Sequence, residues 1–407
     1  MRKAMLVLTG IVVGLTSLPV ALLLLWSPLA AAAPEDEAAT PTATTTENAA
    51  PERLQLRTLP PPPKEGRFTM SYERVWPAEP GQAHICLWAD DKYAAVSVTI
   101  DDNCQPDHAW WIEQGEKYGF RFTWFVVTGG IGVKTNSFAG TWDDFRKLRR
   151  LGHDVQSHTV SHHSDDAKRP DEEVEAQYRD SKKAIEENVP GTQAVCMAYP
   201  YGSGKDDIAA RYYIACRGVY GVPNGANRIN YMRTGSAAIR PDTVDMLLTG
   251  EHASVKWLNR PAHRRSWLTP VYHYVRAGHT KEEKDATQAR AAEDLAHLAS
   301  KKDQIWVDLF RDVACYGMER DTAKLAVTAS DDKHIAFTLS DDMDDSLFAY
   351  PLTVKVRLPD GWTGAAATQG GKPAEATVVE HTGGRFALIK AVPDRGEVVV
   401  RPPAAAE

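Results

Sequence analysis

The sequence predicts an α/β domain of parallel strands covered by helices, followed by a smaller all-β sandwich. Between residues 67 and 323, short apolar runs rich in β-branched residues alternate with segments of helical periodicity, a pattern typical of parallel sheets. Polar clusters follow the ends of several predicted strands, where parallel barrels hold their reactive groups. After residue 324 the apolar residues alternate singly, and no helical period appears.

The elements of the α/β domain are predicted from apolar runs and from helix start and stop signals. The segment 170–189 gives the clearest helix, because acidic residues fill its first turn and Pro190 follows its end. Its apolar stripe consists of Val174, Tyr178 and Ile185. The other predicted elements are strands at residues 93–100, 120–127, 153–157, 194–198, 267–274 and 305–310, a helix starting near Asp107, and a helix at residues 281–301.

A shorter helix is predicted after Thr141, because Thr141 and Asp144 resemble a capping box. Its apolar residues recur at every third position, and Gly152 marks its end. This stripe consists of Phe145, Leu148 and Leu151. The strand at residues 153–157 then leads directly to His158.

The segment 324–407 is predicted to form the β-sandwich, a domain of about eighty residues. Turn signals at residues 382–384 and 393–396 separate its strands. The alternating apolar residues are Ile335, Phe337 and Leu339 in one run, and Leu352, Val354, Val356 and Leu358 in another.

Residues 1–33 are predicted to be an export segment, since Arg2 and Lys3 precede an apolar run at residues 4–26 and alanines offer a cleavage site. Cleavage as a signal peptide and retention as a membrane anchor both remain open, because the run is long enough to span a bilayer. Residues 34–66, rich in Ala, Thr and Pro, are predicted to be an extended linker. The rest of the protein is expected outside the cytoplasm: secreted, periplasmic or membrane-anchored.

Composition excludes some classes of function. The net charge is −7 and no run of Lys or Arg could follow phosphates, so a nucleic-acid partner is not expected. The five cysteines contain no C-x-x-C pair, which excludes a zinc ribbon, and they are too few for a disulfide scaffold. One or two disulfides could form in an oxidising compartment, and the sequence does not pair them.

Two stretches could together form a metal site. His158 and His162 are four residues apart, a spacing that on a turn of helix places both imidazoles on the same face. His163 would be rotated about 100° away and is left out of the site. About fifty residues upstream, Asp101 and Asp102 could supply a base and a ligand. The alternative interpretations are a polar His-rich loop and a solvated Asp-Asp-Asn turn.

One Asp and two His are typical ligands of a divalent metal that keeps open coordination positions. We therefore predict Asp102, His158 and His162 as the ligands, and Asp101 as the general base that takes a proton from water. Both carboxylates can reach the site only if the chain turns after the strand. Asn103 fits such a turn, because Asn tolerates the left-handed region.

Two later stretches complete the candidate site. His273, at the end of a largely apolar strand, is predicted as the general acid, with a buried structural histidine as the alternative. Tyr199, Pro200 and Tyr201 are predicted to line a sugar-binding groove, with ordinary packing at a strand end as the alternative.

These motifs resemble those of the NodB-homology polysaccharide deacetylases. The resemblance covers about residues 94–310. It rests on Thr99-Ile100-Asp101-Asp102-Asn103, His158-Thr159-Val160-Ser161-His162, Tyr199-Pro200-Tyr201-Gly202 and Val271-Tyr272-His273, which are similar to the family's T-F-D-D-G, H-[ST]-x-x-H, R-x-P-[FY]-G and late hydrophobic-x-His motifs.

The resemblance implies an irregular (β/α)₇ barrel and a hydrolase that removes acetyl groups, using zinc or a similar divalent ion such as cobalt, nickel or iron. It implies the same roles for Asp101, Asp102, His158, His162 and His273, with the backbone near Tyr201 helping to hold the oxyanion. Asn103 stands where the family has Gly, and Ala198 stands where it often has an Arg that pairs with the base. The family's Asp partner for the acid histidine has no evident counterpart.

The sequence therefore predicts a metal-dependent deacetylase acting on an acetylated polysaccharide, with N-deacetylation of an N-acetylglucosamine polymer as the leading reaction. O-deacetylation of acetylxylan is the alternative within the same chemistry. A non-catalytic, extracytoplasmic carbohydrate-binding protein is the alternative from another class, motivated by Ala198 and by the appended sandwich.

Overall fold

The computed structural model describes residues 71–403. The predicted export segment, the linker and the last four residues of the chain lie outside the described residues, so the predictions made for them remain untested. The domain boundaries at residues 67, 323 and 324 likewise stay predictions. The described residues all belong to a single compact unit of the chain.

The described residues contain eighteen strands and seven α-helices. The strands are β1 (Ala83–Ile85), β2 (Ala94–Val96), β3 (Thr99–Asp101), β4 (Thr123–Val126), β5 (Asp154–Ser157), β6 (Cys196–Ala198), β7 (Ala215–Arg217), β8 (Trp267–Leu268), β9 (Val271–Tyr272), β10 (Ile305–Val307), β11 (Lys324–Ser330), β12 (Ile335–Ser340), β13 (Leu352–Arg357), β14 (Ala366–Gln369), β15 (Lys372–Ala374), β16 (Ala376–His381), β17 (Gly384–Ala391) and β18 (Val398–Arg401). The helices are α1 (His108–Tyr118), α2 (Trp142–Arg150), α3 (Asp171–Asn188), α4 (Asp206–Ala209), α5 (Pro241–Thr249), α6 (Lys281–Ser300) and α7 (Phe310–Thr322).

The parallel strands form two sheets, and each of two chain segments contributes one strand to each sheet. The larger sheet has the order β7-β6-β5-β4-β3-β9, and the smaller has the order β10-β2-β8. Because β2 runs on into β3 and β8 runs on into β9, the two sheets curl into one irregular barrel. Its seven parallel segments are β2–β3, β4, β5, β6, β7, β8–β9 and β10. The predicted fold class is confirmed.

Some predicted strands are shorter than expected. The predicted strand at 267–274 is interrupted after Leu268, where Pro270 has no N–H to donate to a ladder. The predicted strand at 305–310 ends at Val307, because Phe310 begins α7 and its N–H donates to Thr123 Oγ1 (2.9 Å). Strand β7 and helices α4, α5 and α7 are not among the elements predicted from the sequence.

The structure confirms the sequence signals that predict the start of α2 and the apolar stripe of α3. Thr141 and Asp144 form the predicted capping box at the start of α2, and all three residues of the α3 stripe are fully buried. Leu151 is an exception, since α2 ends at Arg150 and leaves the Leu151 side chain 44% exposed.

The C-terminal part is a sandwich of two antiparallel sheets, with the orders β11-β12-β18-β14-β15 and β1-β13-β17-β16. Strand β1 precedes the barrel in the chain, yet it pairs with β13, with Ala83 opposite Val356. Every residue of β13 is buried, including Lys355, which pairs with Asp91 at 2.6 Å. Apolar residues of α7 and of the sandwich, such as Tyr316 and Val354, belong to one continuous core. The barrel and the sandwich are therefore packed as one body.

Two further findings concern the described residues. All five cysteines are buried and unpaired, so the disulfides considered from the sequence do not form in this structure. Between residues 71 and 403, no helix has the length and apolar character needed to cross a membrane.

Candidate metal centre and active site

The turn after β3 brings two adjacent carboxylates to the carboxyl-terminal mouth of the barrel. Asp102, Asn103 and Cys104 have φ angles of 60°, 63° and 42°, so three consecutive residues adopt the left-handed conformation. In a regular strand, the side chains of Asp101 and Asp102 would point to opposite faces of the sheet. The turn changes the direction of the chain after Asp101, so both carboxylates can point toward the mouth. The predicted turn is thus present.

Asn103 gives this turn a function that the family's glycine could not. Its side-chain oxygen accepts a hydrogen bond from Val127 N (2.7 Å), and its amide nitrogen donates to Ala139 O (2.9 Å). The buried Asn103 side chain therefore fastens the loop that follows β4 to the turn that holds Asp102.

The two histidines do not lie on a helical turn, so the helical conformation predicted for this stretch is wrong. The chain from His158 to His162 is an irregular loop in which Thr159 and His162 have positive φ angles of 67° and 54°. Thr159 Oγ1 accepts a hydrogen bond from His162 N (3.1 Å), which closes the loop. His163 lies away from the pair, with its Nδ1 3.7 Å from Asp166 Oδ1.

The loop nevertheless brings the predicted ligands together. The Nε2 atoms of His158 and His162 are 3.1 Å apart. Asp102 Oδ1 lies 3.2 Å from His162 Nε2 and 3.6 Å from His158 Nε2. One potential ligand atom from each of the three residues lies within 4.8 Å of the others.

The chemistry of these atoms fits a divalent cation. His158 Nδ1 lies 2.8 Å from Ala198 O, a contact that requires the proton on Nδ1 and leaves the Nε2 lone pair facing His162 and Asp102. Burial lowers the pKa of His158, which favours the neutral, ligating form. Asp102 Oδ1 is buried and has no hydrogen-bond partner. A cation between these groups would satisfy all of them.

Asp101 lies beside this cluster and pairs with an arginine that the sequence analysis missed. Arg217, at the end of β7, is fully buried and donates to Asp101 Oδ2. In the parallel pair of β6 and β7, Arg217 stands directly opposite Ala198, the position where the family often has its arginine. The cation absent at Ala198 is thus supplied one strand away. A charged residue directly after the apolar Ile214-Ala215-Cys216 run was the available signal.

The electrostatics keep Asp101 ionised. Burial raises the pKa of Asp101, but the Arg217 guanidinium, together with His158 and His273, outweighs burial and leaves the pKa below its ordinary value. Asp101 Oδ1 is buried and makes no hydrogen bond. The other oxygen, Oδ2, lies 3.6 Å from His158 Nε2.

His273 follows β9 on the other side of Asp102. Its Nε2 lies 3.9 Å from Asp102 Oδ2, and its side chain is 55% exposed. The alternative of a buried structural histidine is therefore wrong. Asp101, Asp102 and His273 come from adjacent strands, since β3 pairs with β9.

The residues predicted to line a groove separate into two groups. Tyr199 is only 1% exposed and packs beneath the Arg233 guanidinium, 4.5 Å from its ring centroid, so its ring belongs to the core. Pro200 is also buried. Tyr201, in contrast, is 67% exposed, and its ring centroid lies 4.9 Å from that of His162.

Comparison with known families agrees with this geometry. Residues 89–215 match the family model described as polysaccharide deacetylase, and the matched segment contains the Asp turn, the His loop and the Tyr-Pro-Tyr-Gly turn. The resemblance noted from the motifs is confirmed for this segment.

Individual relatives cover different parts of the chain. A Bacillus protein named gellan lyase is 40% identical over 375 residues, which are 87% of this chain and 15% of that protein's length. The chain therefore spans a small fraction of that relative. Among solved structures, the Streptococcus pyogenes deacetylase PplD in complex with acetate covers 36% of this chain and 65% of its own, at 22% identity and a TM-score of 0.33. A CE4-family pseudoenzyme from Bacillus anthracis covers 55% and 66%, at 13% identity and a TM-score of 0.35.

Proposed function

We propose that this protein is a metal-dependent hydrolase that removes acetyl groups from a polysaccharide, with an N-acetylglucosamine polymer as the leading substrate. The observation that carries the proposal is the convergence of Asp102, His158 and His162, with the Asp101–Arg217 pair beside them and His273 opposite. These residues follow separate strands and meet at the same mouth of the barrel. Metal ligands, a general base and a general acid arranged in this way are suited to hydrolysis.

Asp102, His158 and His162 would hold the metal, for which zinc is the leading candidate and cobalt, nickel and iron are alternatives. A divalent ion bound there would acidify a water molecule and polarise the acetyl carbonyl. The His158 contact with Ala198 O would keep the correct ring nitrogen available to it.

Asp101 acts as the general base. Its carboxylate accepts a proton from the water that attacks the acetyl carbonyl, while Oδ2 stays paired with Arg217. Arg217 does not need to move during the reaction. It fixes the orientation of the carboxylate and keeps it ionised.

His273 acts as the general acid. It donates a proton to the departing nitrogen as the carbon–nitrogen bond breaks, which releases acetate and leaves a free amine on the sugar. Its Nε2 lies 3.9 Å from Asp102 Oδ2, which supports a role for His273 beside the proposed metal ligands. With an O-acetyl substrate, His273 would protonate the sugar oxygen instead.

We also propose that the reaction takes place outside the cytoplasm. Residues 1–33 have the charge and apolar pattern of an export segment, and residues 4–26 could serve as a tether if that segment is retained. Fractionation of cells that express the full chain tests this proposal. Protein recovered only in the cytoplasm would refute it.

Acetate release after chelation and metal reconstitution tests the proposed activity. The two substrates are N-acetylglucosamine oligomers and acetylated xylan. The proposal predicts release from at least one of them that disappears with the chelator and returns with zinc. Absence of release from both, with zinc bound to the protein, would refute it and favour the carbohydrate-binding alternative.

The carbohydrate-binding alternative was motivated by the missing arginine at Ala198 and by the appended sandwich. Arg217 supplies a cation in place of the missing arginine, which removes one of these two motivations.

A further inference from the structure

We propose that Gln177 of α3 is a positioning residue for the candidate metal centre, and that its side chain holds the loop carrying His158 and His162 in the ligating conformation before any metal binds. This inference rests on the proposed function and deepens it, because it concerns the same ligand set. Gln177 lies outside the four sequence motifs, on the helix that follows the loop.

The loop that carries the two histidines has a strained backbone. Thr159 and His162 have φ angles of 67° and 54°, a region that residues other than glycine rarely adopt. Such conformations persist only where the surrounding structure maintains them. The positions of the His158 and His162 imidazoles therefore depend on the contacts that neighbouring elements make with the loop.

The Gln177 side chain makes such a contact at the middle of the loop. Its Oε1 accepts hydrogen bonds from two consecutive backbone groups, Val160 N (3.1 Å) and Ser161 N (2.9 Å). Both N–H groups need an acceptor, so the amide oxygen must face the loop, and Nε2 then lies 3.5 Å from Ser161 Oγ. One side-chain oxygen thus fixes the two residues that lie directly between Thr159 and His162.

Helix α3 is a firm support for this contact. Tyr178, the next residue after Gln177, is fully buried. One turn later, Ser181 Oγ accepts a hydrogen bond from Ser157 Oγ (2.8 Å), which itself accepts one from Thr159 N (3.2 Å). The helix therefore holds both the start and the middle of the loop.

The opposite side of the loop is held by backbone groups. Thr159 O accepts from Thr128 N (3.1 Å), and Val160 O accepts from Gly129 N (2.9 Å). A Cβ on Gly129 would lie 2.6 Å from Val160 O, so this close approach requires glycine. The loop carbonyls thus face the segment after β4, which Asn103 fastens to the Asp turn, while two loop N–H groups face Gln177. Without the Gln177 oxygen, only the carbonyl side would keep these partners.

This arrangement should act on metal affinity. A loop that is already ordered loses less conformational entropy when its side chains bind a ligand. Groups that orient metal ligands without touching the metal commonly change the affinity about 10–100-fold when they are removed. Because Gln177 acts through the loop, its loss should be overcome by excess metal, and kcat at saturating zinc should stay close to that of wild type.

Zinc affinity, measured by competition with a chromogenic chelator on the metal-free full chain, tests the inference. Gln177→Ala and the shorter Gln177→Asn should each raise the zinc Kd about tenfold or more. Gln177→Glu should keep the Kd within about threefold, because a carboxylate oxygen can accept both N–H groups. Lys183→Ala is the matched control, since Lys183 lies on the same helix with a side chain that is 69% exposed.

Hydrogen exchange in the metal-free protein gives a second readout. The Val160 and Ser161 amides should exchange about tenfold faster in Gln177→Ala than in wild type, because they lose their acceptor. They should exchange at the wild-type rate in Lys183→Ala. Recovery of both the Kd and the exchange rates in Gln177→Glu would separate the loss of this acceptor from a general loss of stability.

The outcomes distinguish this inference from the proposed activity. Weaker zinc binding by Gln177→Ala and Gln177→Asn, with recovery in Gln177→Glu, supports the inference even if no acetate is ever released, in which case the proposed activity alone fails. A wild-type zinc Kd in Gln177→Ala, or an equal loss in Lys183→Ala, would overturn the inference and leave the proposed activity standing. A wild-type protein that binds none of zinc, cobalt, nickel and iron would refute both.

Discussion

At the scale of single residues, Arg217 compensates for the arginine that is absent at Ala198. Ala198 contributes its backbone carbonyl, which orients His158, and its cross-strand neighbour Arg217 contributes the cation that holds Asp101. Because paired residues in a parallel sheet point to the same face, an arginine at either position can reach the same carboxylate.

Replacement of Arg217 tests this arrangement. Arg217→Lys should lower kcat about tenfold, because lysine keeps the charge but lacks the planar, two-pronged geometry. Arg217→Ala should lower kcat about 100-fold through misplacement of Asp101, and adding Ala198→Arg should restore part of that loss. Acetate-release kinetics and circular dichroism, with the exposed Arg211→Ala as a control, provide the measurements. A folded Arg217→Ala variant with normal kcat would contradict the assignment.

Asn103 supports a second prediction at this scale. Asn103→Gly removes the hydrogen bonds to Val127 and Ala139 and should cost about 1–2 kcal/mol of unfolding free energy. Asn103→Ala should cost about 1 kcal/mol more, since alanine disfavours the positive φ angle that glycine accepts. Urea unfolding of the two variants separates side-chain bonding from backbone strain. Equal stability of wild type and Asn103→Gly would show that these bonds contribute nothing.

At the scale of elements, Glu319 of α7 connects the barrel to the chain that enters β13. Both of its carboxyl oxygens lie 3.1 Å from Tyr350 N, and burial raises its pKa to about 9. The folded protein therefore holds a protonated Glu319 at neutral pH, whereas the unfolded chain ionises it near pH 4.3.

This difference predicts how stability depends on pH. Because folding raises the pKa of Glu319, this residue contributes to the free energy of unfolding. The contribution is complete below about pH 4 and is lost progressively as the pH rises toward 9. Glu319→Gln should abolish the contribution of Glu319 to the pH dependence of stability, and it should raise Tm more at pH 8 than at pH 5. Thermal unfolding across this range, with the exposed Glu187→Gln as the control, measures it. Parallel Tm profiles for Glu319→Gln and wild type would be the contrary result.

The elements also show what the sequence could and could not predict. The helix α3 was predictable because its stripe and its end signals agree. The three-residue strand β7 was not, since so short a run has too little periodicity, and Arg217 was missed with it. The His loop was predicted with the wrong backbone, because no rule based on spacing anticipates left-handed conformations at Thr159 and His162. The three predicted ligands still lie close together, because the spacing limits how far the two rings can separate.

At the scale of the whole molecule, the sandwich is part of the barrel's stability. Strand β1 lies before the barrel in sequence and pairs with β13 after it, and α7 packs against both parts. Removal of residues 324–407 should therefore leave β1 without its partner and expose apolar residues of α7, such as Tyr316. The remaining chain should lose near-ultraviolet dichroism and aggregate.

Unfolding of the longer protein provides the matching measurement. A fragment that starts at residue 71 and retains the sandwich should unfold in urea in a single transition, observed equally by fluorescence and dichroism. Two separate transitions, or a soluble and folded fragment covering residues 71–323, would show that the barrel is independent of the sandwich.

The central claim is that Asp101 acts on water beside a metal that other residues hold. The most direct measurement is zinc content and acetate release on the same preparations of wild type, Asp101→Asn and His158→Ala. The account predicts that Asp101→Asn keeps its zinc and loses about 100-fold or more in kcat, whereas His158→Ala loses the zinc and the activity together. An Asp101→Asn variant that retains normal kcat, or a His158→Ala variant that binds zinc as wild type does, would contradict it.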